Sequence, residues 1–327
     1  MKKDINTVIL IFAFNRPYHL NNLLVSLNQN KESKNLPIKI FLDGPRNNKD
    51  KCNLKKIVKI IKKNKLNLPN LVIVKRRKNF GSKFNIINGI SHSFKKYDSA
   101  IILEDDLVLD KYFLKFMLFS LKKFKNKNKV FHISGFSFLN NPNNNGTYFT
   151  RYMNCWGWAT WADRWIKLNT NSNEIIRSFS KKDIYEFNIE NSHDFFRQIL
   201  ENKMGILNTW AIFWYATIFK EKGLCLTPYN SLVKNEGYDG SGERLGKAIS
   251  QSKLDGTLIK SFPNEIIENS KDLEVLKKYF QKQKNIFKTI IKNMIYLMPK
   301  DYQKPITKKL IKARFLLTNF YNKINSI

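Results

Sequence analysis

The stretch Ala100-Ile-Ile-Leu-Glu-Asp-Asp-Leu-Val-Leu109 decides the fold, because an apolar run ends abruptly in three consecutive carboxylates. Residues 100–103 have the length and apolar character of a buried strand. Glu104, Asp105 and Asp106 repel one another and lose solvation there, so stability alone does not favour the arrangement. A divalent cation would resolve the conflict, since Mg²⁺ or Mn²⁺ accepts one or two carboxylates together with substrate phosphate oxygens. The alternative is an acidic turn that faces water.

Three further apolar runs precede this stretch. Residues 8–14, 38–42 and 71–74 each predict a buried strand, and apolar residues recur at helical spacing between them. Gly81-Ser82 opens the last of these helices, and Ser82 is its expected N-cap. Strands that alternate with helices are typical of βαβ units. The sequence therefore predicts an α/β fold with a mostly parallel sheet flanked by helices.

Polar residues follow these predicted strands. Arg16 comes after the first strand, Asp43 after the second, and the three acids after the fourth. Parallel sheets place ligands beyond the carboxyl ends of their strands, so we expect these residues to share one crevice. Lys83 lies at a helix N-terminus, where backbone N–H groups attract anions, and is a further substrate-binding candidate. Turn capping by Asp43 and helix capping at Gly81 are the structural alternatives.

These motifs together resemble the GT-A fold nucleotide-diphospho-sugar transferases, in particular N-acetylglucosaminyltransferase I and bacterial family 2-like sugar transferases. The resemblance spans about residues 7 to 245 and rests on four stretches: Ala100 to Phe113 with its Glu-Asp-Asp-Leu motif, Phe14-Asn-Arg-Pro17, Leu42-Asp-Gly44 and Asn154-Cys-Trp-Gly-Trp158. It implies a Rossmann-like sheet and the transfer of a sugar from a nucleoside diphosphate to an acceptor hydroxyl.

The resemblance also implies roles for individual residues. Asp106 would bind Mn²⁺ or Mg²⁺ directly, and Glu104 and Asp105 would contact the ribose or the donor sugar. Asp43 would accept a hydrogen bond from the uracil N–H, which makes a UDP-sugar the expected donor. Arg16 would lie beside the diphosphate or the nucleoside, although an exposed arginine ahead of a proline needs no function.

The catalytic base is where the sequence departs from the resemblance. N-acetylglucosaminyltransferase I carries its base in a Trp-Asp-Asp-Trp stretch, whereas the matching stretch here, Trp210-Ala-Ile-Phe-Trp214, has no carboxylate. An inverting transfer needs a base within about 3 Å of the acceptor hydroxyl. Asp194 and Asp239 are the expected substitutes and Asp163 is a third candidate. Each of them is also explained as a helix-end or loop acid.

Two aromatic residues and one glycine-rich segment are candidates for the acceptor side. Trp156 and Trp158 are expected to form a platform, because an indole ring can stack on the apolar face of a pyranose. Trp161 and Trp165, four residues apart, are expected in the core instead. The segment 237–242 is expected to be a lid over the donor diphosphate, with a plain surface loop as the alternative.

We expect two parts in the chain. Residues 1–245 would form the transferase domain, with the nucleotide-sugar-binding half at 1–109 and the acceptor-binding half at 110–245. Residues 246–327 would be a linker and a basic helical tail, since residues 277–327 hold 13 Lys plus Arg against one acid. The tail would lie on an anionic membrane surface or pack on the transferase body through one apolar face: Phe280, Phe287, Ile290, Ile291, Met294 and Leu297.

The chain carries 58 Lys plus Arg against 26 Asp plus Glu, a formal net charge of +32. Such a charge attracts polyanions over a Debye length of about 8 Å, so a nucleic-acid-binding protein is an alternative function. We expect no nucleic-acid partner, because the sequence shows no recognisable RNA-binding motif. The lysine excess also fits translation from AT-rich codons. A catalytically degenerate transferase that binds a donor or a glycan without turnover is the second alternative.

The cysteines and the apolar runs predict where the protein acts. Cys52, Cys155 and Cys225 have spacings that fit neither a disulfide framework nor a zinc site, which favours a reducing compartment. The first apolar run is shorter than a signal peptide requires, and no window reaches the about 18 apolar residues of a spanning helix. We expect a cytoplasmic protein, soluble or peripheral on the inner face of the membrane, that works on a glycan or lipid-linked acceptor for surface polysaccharide or lipooligosaccharide.

Overall fold

The computed structural model describes residues 6–139, 141, 143–239, 254, 256, 258–283 and 305. Its described residues form two compact units. The first unit holds residues 6–170, Thr209–Gly237 and the described residues from 254 to 276, and the second holds Asn171–Asn208 and the remaining ones. The expected domain boundary at residue 245 lies outside the described residues and stays a prediction.

The first unit contains all of the strands in the described part of the chain. In chain order they are β1 (Thr7–Ala13), β2 (Ile38–Leu42), β3 (Leu71–Lys75), β4 (Ser99–Glu104), β5 (Leu107–Leu109), β6 (Val130–Ser134), β7 (Thr147–Thr150), β8 (Trp158–Trp161), β9 (Leu224–Pro228) and β10 (Val233–Asn235). Eight of them form one sheet in the order β3-β2-β1-β4-β8-β6-β9-β7. The other two, β5 and β10, pair antiparallel in a small second sheet.

The first four strands of this order are parallel to one another. β1 is at their centre, with Ile9 opposite Ile38 on one side and Ile101 on the other. All seven residues of β1 are buried, as an apolar strand covered on both faces requires. β8 runs antiparallel to both of its neighbours, and β6 and β9 are parallel. The predicted α/β fold with a mostly parallel sheet is confirmed.

Ten α-helices connect or flank the strands in the described residues. They are α1 (Pro17–Asn28), α2 (Asn48–Asn64), α3 (Gly81–Ser93), α4 (Phe113–Phe124), α5 (Ala162–Trp165), α6 (Ser172–Ser178), α7 (Lys181–Phe187), α8 (Phe196–Lys203), α9 (Ala211–Lys220) and α10 (Ser270–Gln283). Pro17 occupies the first turn of α1, where its missing N–H costs no helical hydrogen bond. Among the helices described, none combines the length and apolar character needed to cross a bilayer.

Indole rings and one imidazole fill the core beside β6 and β8. We call this set the aromatic cluster: His132, Trp158, Trp165, Trp210 and Trp214. Trp158 stacks on Trp210 with 5.4 Å between ring centroids and on His132 with 5.0 Å. The expectation that Trp165 lies in the core is confirmed, because its ring centroid is 5.0 Å from that of Trp214.

His132 is held in one tautomer within this cluster. Its Nδ1 accepts a hydrogen bond from the Trp214 indole N–H at 3.3 Å, and its Nε2 lies 2.9 Å from the carbonyl oxygen of Asn154. Because a carbonyl only accepts, the proton is on Nε2. Complete burial lowers the pKa of His132 to about 3, so the ring is neutral.

One residue of the expected tail face is described in the second unit. Phe280 of α10 is buried, with its ring 5.4 Å from that of Phe195 and 5.5 Å from that of His193. Phe280 thus packs as the second alternative expects, and the choice between packing and membrane binding for the tail stays a prediction. Phe287, Ile290, Ile291, Met294 and Leu297 lie outside the described residues.

Candidate active site

The strand order reverses direction beside β1. From β1 the chain proceeds to β2 and β3 on one side of the sheet, whereas β4 lies on the other side. Arg16 follows β1, and Asp105 and Asp106 follow β4, so these side chains leave the sheet at the same switch point. Ligands bind at this position in open parallel sheets. The structure therefore brings together Arg16, Asp105 and Asp106, as the sequence predicts.

Arg16 forms an ion pair with both carboxylates. One guanidinium nitrogen contacts Asp105, and Nη1 lies 3.1 Å from Oδ2 of Asp106. We call these three residues the acid site. Burial disfavours the charged form of Arg16, but the charges of Asp105 and Asp106 outweigh this effect and raise its pKa above the usual value. The guanidinium is thus a permanent positive charge that compensates two neighbouring acids.

The two carboxylates differ in their surroundings. The side chain of Asp105 is only 3% exposed, and its Oδ2 accepts a hydrogen bond from the Phe14 N–H at 3.2 Å. Burial raises the pKa of Asp105, and the charge of Asp106 adds to this while Arg16 opposes it. The side chain of Asp106 is 15% exposed. Asp105 therefore fixes the end of β4 to β1, while Asp106 faces the outside.

Asp43 is also buried at the carboxyl ends of the strands, but its bonding is different. Its Oδ1 accepts the N–H groups of Gly44 and Phe80, each at 2.9 Å. Its Oδ2 accepts the Gly81 N–H at 2.9 Å and the Asn79 amide at 3.1 Å. A carboxylate has about four acceptor positions, so these donors occupy all of them. The capping alternative is what the structure favours, and the base-reading role of Asp43 stays a prediction.

This bonding corrects the expected N-cap of α3. Ser82 is not the cap, because α3 begins at Gly81 and Phe80 is the N-cap residue without a side-chain cap of its own. Asp43 supplies the acceptor from the end of β2 instead. Gly81 has a φ of +77°, a backbone conformation that glycine adopts without strain.

Lys83 and Glu104 are the remaining substrate-binding candidates near this edge. The Lys83 Nζ lies 4.1 Å from the centre of the Phe213 ring, and burial lowers its pKa. Glu104 is the last residue of β4 and is half-buried, and its charge acts on Arg16. Their expected contacts with the diphosphate and the donor sugar stay predictions.

The structure shows what each candidate base contacts. Asp194 accepts the backbone N–H of Arg197 at 3.3 Å and forms an ion pair with that side chain at 2.9 Å, so its carboxylate is held beside the first turn of α8. Asp163 forms an ion pair with Arg164 and is exposed. Asp239 is exposed. Asp194 and Asp239 both belong to the second unit, and their catalytic role stays a prediction.

The expected acceptor platform of Trp156 and Trp158 is wrong. Trp158 is completely buried within the aromatic cluster, and Trp156 is buried with its ring centroid 4.4 Å from that of Phe136. A buried indole has no free face for a sugar. Spacing in the sequence does not distinguish an aromatic platform from an aromatic core, because large rings serve both purposes.

The acid site fits a cation that is shared with a substrate. The described residues contain no group of three or more His, Cys, Asp or Glu side chains able to hold a metal by themselves. Mg²⁺ and Mn²⁺ do not require such a group, because substrate phosphate oxygens and waters complete their coordination. Asp106 supplies one hard oxygen ligand with a partly exposed carboxylate. The donor set therefore suits a metal–diphosphate complex better than a metal alone.

For the residues that follow β10, the sequence predicted a lid at 237–242 but not the contact of residues 236 and 237 with Asp106; residues 240–242 lie outside the described residues. The carbonyl oxygen of Asp106 accepts the N–H of Glu236 at 2.8 Å, and Gly237 lies against the Asp106 carboxylate. β5 and β10 have three residues each, too few for a periodic pattern, and their pairing joins positions more than 120 residues apart. The glycine-rich segment that begins at Gly237 was the one local signal, and its role as a lid stays a prediction.

No family model matches the chain, and no curated protein matches it. Residues 1-349 of S. aureus TarS are a similar solved structure, with 9% identity and a TM-score of 0.43, over 72% of this chain and 61% of that chain. The mannosyltransferase PcManGT from Pyrobaculum calidifontis, in complex with GDP-Man and Mn²⁺, has 9% identity and a TM-score of 0.40, over 67% and 70%.

A longer S. aureus TarS structure has 14% identity and a TM-score of 0.31, over 39% of this chain and 21% of that one. The chain thus spans less than two thirds of the length of the TarS chains that it matches.

Proposed function

We propose that the chain is a metal-dependent glycosyltransferase that uses a nucleoside-diphosphate sugar, with a UDP-sugar as the expected donor. The observation that carries this proposal is the acid site of Arg16, Asp105 and Asp106 at the switch point of a parallel sheet. The single charge of Arg16 cannot neutralise two carboxylates, so these carboxylates keep a net negative charge that favours a cation. A cation held by a diphosphate is the ligand that their chemistry suits.

The residues of the acid site divide the work of binding. Asp106 would hold Mn²⁺ or Mg²⁺, which when bound supplies a Lewis acid for the departing diphosphate. Asp105 stays in place through Phe14 and orients Arg16. Arg16 keeps a positive charge near the diphosphate and limits the repulsion between the two acids. Glu104 would contact the ribose or the donor sugar from the end of β4.

For the acceptor side we propose a catalytic base and an acceptor class. Asp194 and Asp239 are the proposed bases for an inverting transfer, because position 211 holds alanine where the resembled enzyme has a carboxylate. The proposed acceptor is a glycan or a lipid-linked sugar in surface polysaccharide or lipooligosaccharide synthesis. The basic residues beyond 283 would add attraction to an anionic membrane surface, at about 1 kcal/mol for each Lys or Arg close to it.

A thermal-shift experiment tests the proposal. The protein is mixed with UDP, GDP and their sugar conjugates, with and without Mn²⁺, because a ligand that binds only the folded state raises the melting temperature. We expect a shift that requires Mn²⁺ and is lost in Asp106→Asn, a variant of the same shape without the negative charge. Glu186→Gln, which changes a half-buried acid on α7 that pairs with Lys182, is the matched control and should keep the shift.

The outcomes separate the alternatives. Folded wild-type protein with no shift from any nucleotide contradicts the proposed donor binding. If no nucleotide causes a shift and the protein binds RNA with an affinity that falls steeply with salt, the nucleic-acid alternative is supported. A metal-dependent shift without transfer to any tested acceptor supports a degenerate transferase that binds its donor only. An unchanged shift in Asp106→Asn excludes Asp106 as the metal ligand.

A further inference from the structure

The acid site has a second wall that comes from a distant part of the chain. β5 begins directly after Asp106 and pairs antiparallel with β10, so that Asn235 is opposite Leu107. The chain then turns back over Asp106, whose carbonyl oxygen accepts the Glu236 N–H at 2.8 Å. Residues 235–237, which we call the β10 turn, therefore touch the acid site.

Gly237 lies against the Asp106 carboxylate itself. A Cβ atom at position 237 would overlap Oδ2 of Asp106 and would lie 3.0 Å from its Cγ and 3.1 Å from Asn235 Oδ1. The Asp106 oxygen is the closest of these atoms and the end of a flexible side chain, so we expect the carboxylate to shift. The same oxygen, Oδ2, receives the Arg16 Nη1 at 3.1 Å. The absence of a side chain at 237 thus allows Asp106 to keep its orientation toward Arg16.

The β10 turn is fixed in place by two sets of contacts. Within the turn, the buried Asn235 accepts the Gly237 N–H at 2.8 Å through its Oδ1. From α1, the His19 Nε2 lies 3.3 Å from the Glu236 carbonyl oxygen, and the Asn22 amide donates to Glu236 Oε2 at 3.0 Å.

These α1 contacts lie close in sequence to the arginine of the acid site. Arg16 is the N-cap residue of α1, and His19 and Asn22 follow within the first two turns of the helix. The beginning of α1 therefore contacts both the acid site and the β10 turn. These hydrogen bonds hold Gly237 beside Asp106.

We propose that Gly237 is a positioning residue that acts through Asp106. Because Gly237 has no side chain, the Asp106 carboxylate can keep the orientation in which it would bind a metal–diphosphate complex. This inference rests on the proposed function, and it assigns a role to the β10 turn that is separate from the expected lid. Groups that orient a metal-binding carboxylate typically change metal affinity by 10- to 100-fold when altered.

The test is Gly237→Ala, with Mn²⁺-dependent binding of UDP and of GDP measured by calorimetry. We expect affinity to fall by about tenfold or more, because the added methyl displaces the carboxylate. Gly223→Ala is the matched control: its Cβ would press on the Phe131 ring, away from the acids, so it should lower stability and leave affinity unchanged. Equal affinities in wild type and Gly237→Ala would overturn the proposal.

A double-mutant cycle with Asp106→Ala separates positioning from general damage. It is read as melting temperature without ligand, so it decides the contact even when no nucleotide binds and the proposed function fails. In the Asp106→Ala background, Gly237→Ala should lower the melting temperature less than it does in wild type. An equal loss in both backgrounds would show that Gly237 does not contact Asp106, and would overturn the proposal.

A second variant covers the case in which Gly237→Ala does not fold. Asn235→Ala removes the acceptor of the Gly237 N–H without adding an atom next to Asp106. We expect weaker Mn²⁺-dependent nucleotide binding in this variant too. Wild-type affinity in folded Asn235→Ala would show that the β10 turn does not position Asp106.

Discussion

The acid site and the aromatic cluster are both buried in the first unit, yet they use burial in opposite ways. In the aromatic cluster, Trp158 and Trp214 are completely enclosed by other rings. In the acid site, the side chains of Arg16 and Asp106 stay 17% and 15% exposed. Residue type alone therefore does not mark a functional site. A charged group that is held in place and still reaches the surface is the more informative feature.

The two regions also make opposite contributions to stability. Burying indole rings removes apolar area from water, which stabilises the fold by about 25 cal/mol for each Å². Burying Asp105 next to a second carboxylate costs free energy that its pairing with Arg16 offsets only in part. We therefore expect substitutions in the cluster to change stability and substitutions in the acid site to change binding.

The largest expected effect is on the aromatic cluster. Trp158→Ala should lower the free energy of unfolding by about 3 to 5 kcal/mol, because it leaves a cavity where four aromatic neighbours meet. Urea denaturation measures this loss. Mn²⁺-dependent nucleotide affinity should be unchanged in the fraction that stays folded.

Trp158→Phe is the matched control for this variant. It keeps an aromatic ring in the cluster and removes the indole N–H, which is buried without a hydrogen-bond partner in the described part of the chain. We expect it to cost clearly less than Trp158→Ala. If Trp158→Ala were as stable as wild type but had lost donor binding, the division between the two regions would be wrong.

A second prediction concerns Asp43, a carboxylate at the sheet edge that is bonded like a core group. Asp43→Asn places an amide donor among four donors, so at least one hydrogen bond becomes a repulsive contact. We expect the free energy of unfolding to fall by about 2 kcal/mol, the usual cost of leaving a buried polar group unsatisfied. Chemical denaturation of Asp43→Asn beside Asp106→Asn measures the contrast, since Asp106 is partly exposed.

Nucleotide binding by the same variant decides what Asp43 does. If Asp43 only caps α3, folded Asp43→Asn should lose affinity for uridine and guanosine nucleotides to the same extent. A selective loss of uridine nucleotides would instead support the base-reading role that the resemblance implies. Calorimetry with UDP and GDP in the presence of Mn²⁺ measures the ratio.

The sequence predicts the parallel half of the sheet well. The apolar runs at residues 38–42 and 100–103 become β2 and β4 with bounds that agree within one residue. β1 and β4 are almost entirely apolar and β2 is interrupted only by Lys39, so each is visible without any knowledge of its partners. The strands β5 and β10 are not predictable in this way, because each has three residues and is defined only by its distant partner.

The candidate site is predicted in part for the same reason. The meeting of Arg16 with Asp105 and Asp106 follows from strand order, since all three residues lie directly after strands. The hydrogen bonds that Asp43 accepts depend on where the loop after β3 places the N–H groups of Phe80 and Gly81. No local sequence pattern encodes that placement.

The smallest expected effect is a dependence of stability on pH, caused by His132 in the aromatic cluster. Its pKa of about 3 in the folded protein lies below the unfolded value of about 6.5. The unfolded chain therefore binds a proton that the folded protein rejects. The stability that this group contributes is complete above pH 6.5 and is lost as the pH falls toward 3. We expect about 1 to 2 kcal/mol of this loss between pH 7 and pH 5.

His132→Gln isolates this term, because all other titratable groups are common to both proteins. A glutamine offers an oxygen to the Trp214 N–H and an N–H to the Asn154 carbonyl, but it does not titrate. Urea denaturation across pH 5 to 7 should give a steeper acid loss in wild type than in His132→Gln. Parallel curves would mean that protonation reaches His132 in the folded state. The aromatic cluster would then be open to water, and its contrast with the acid site would disappear.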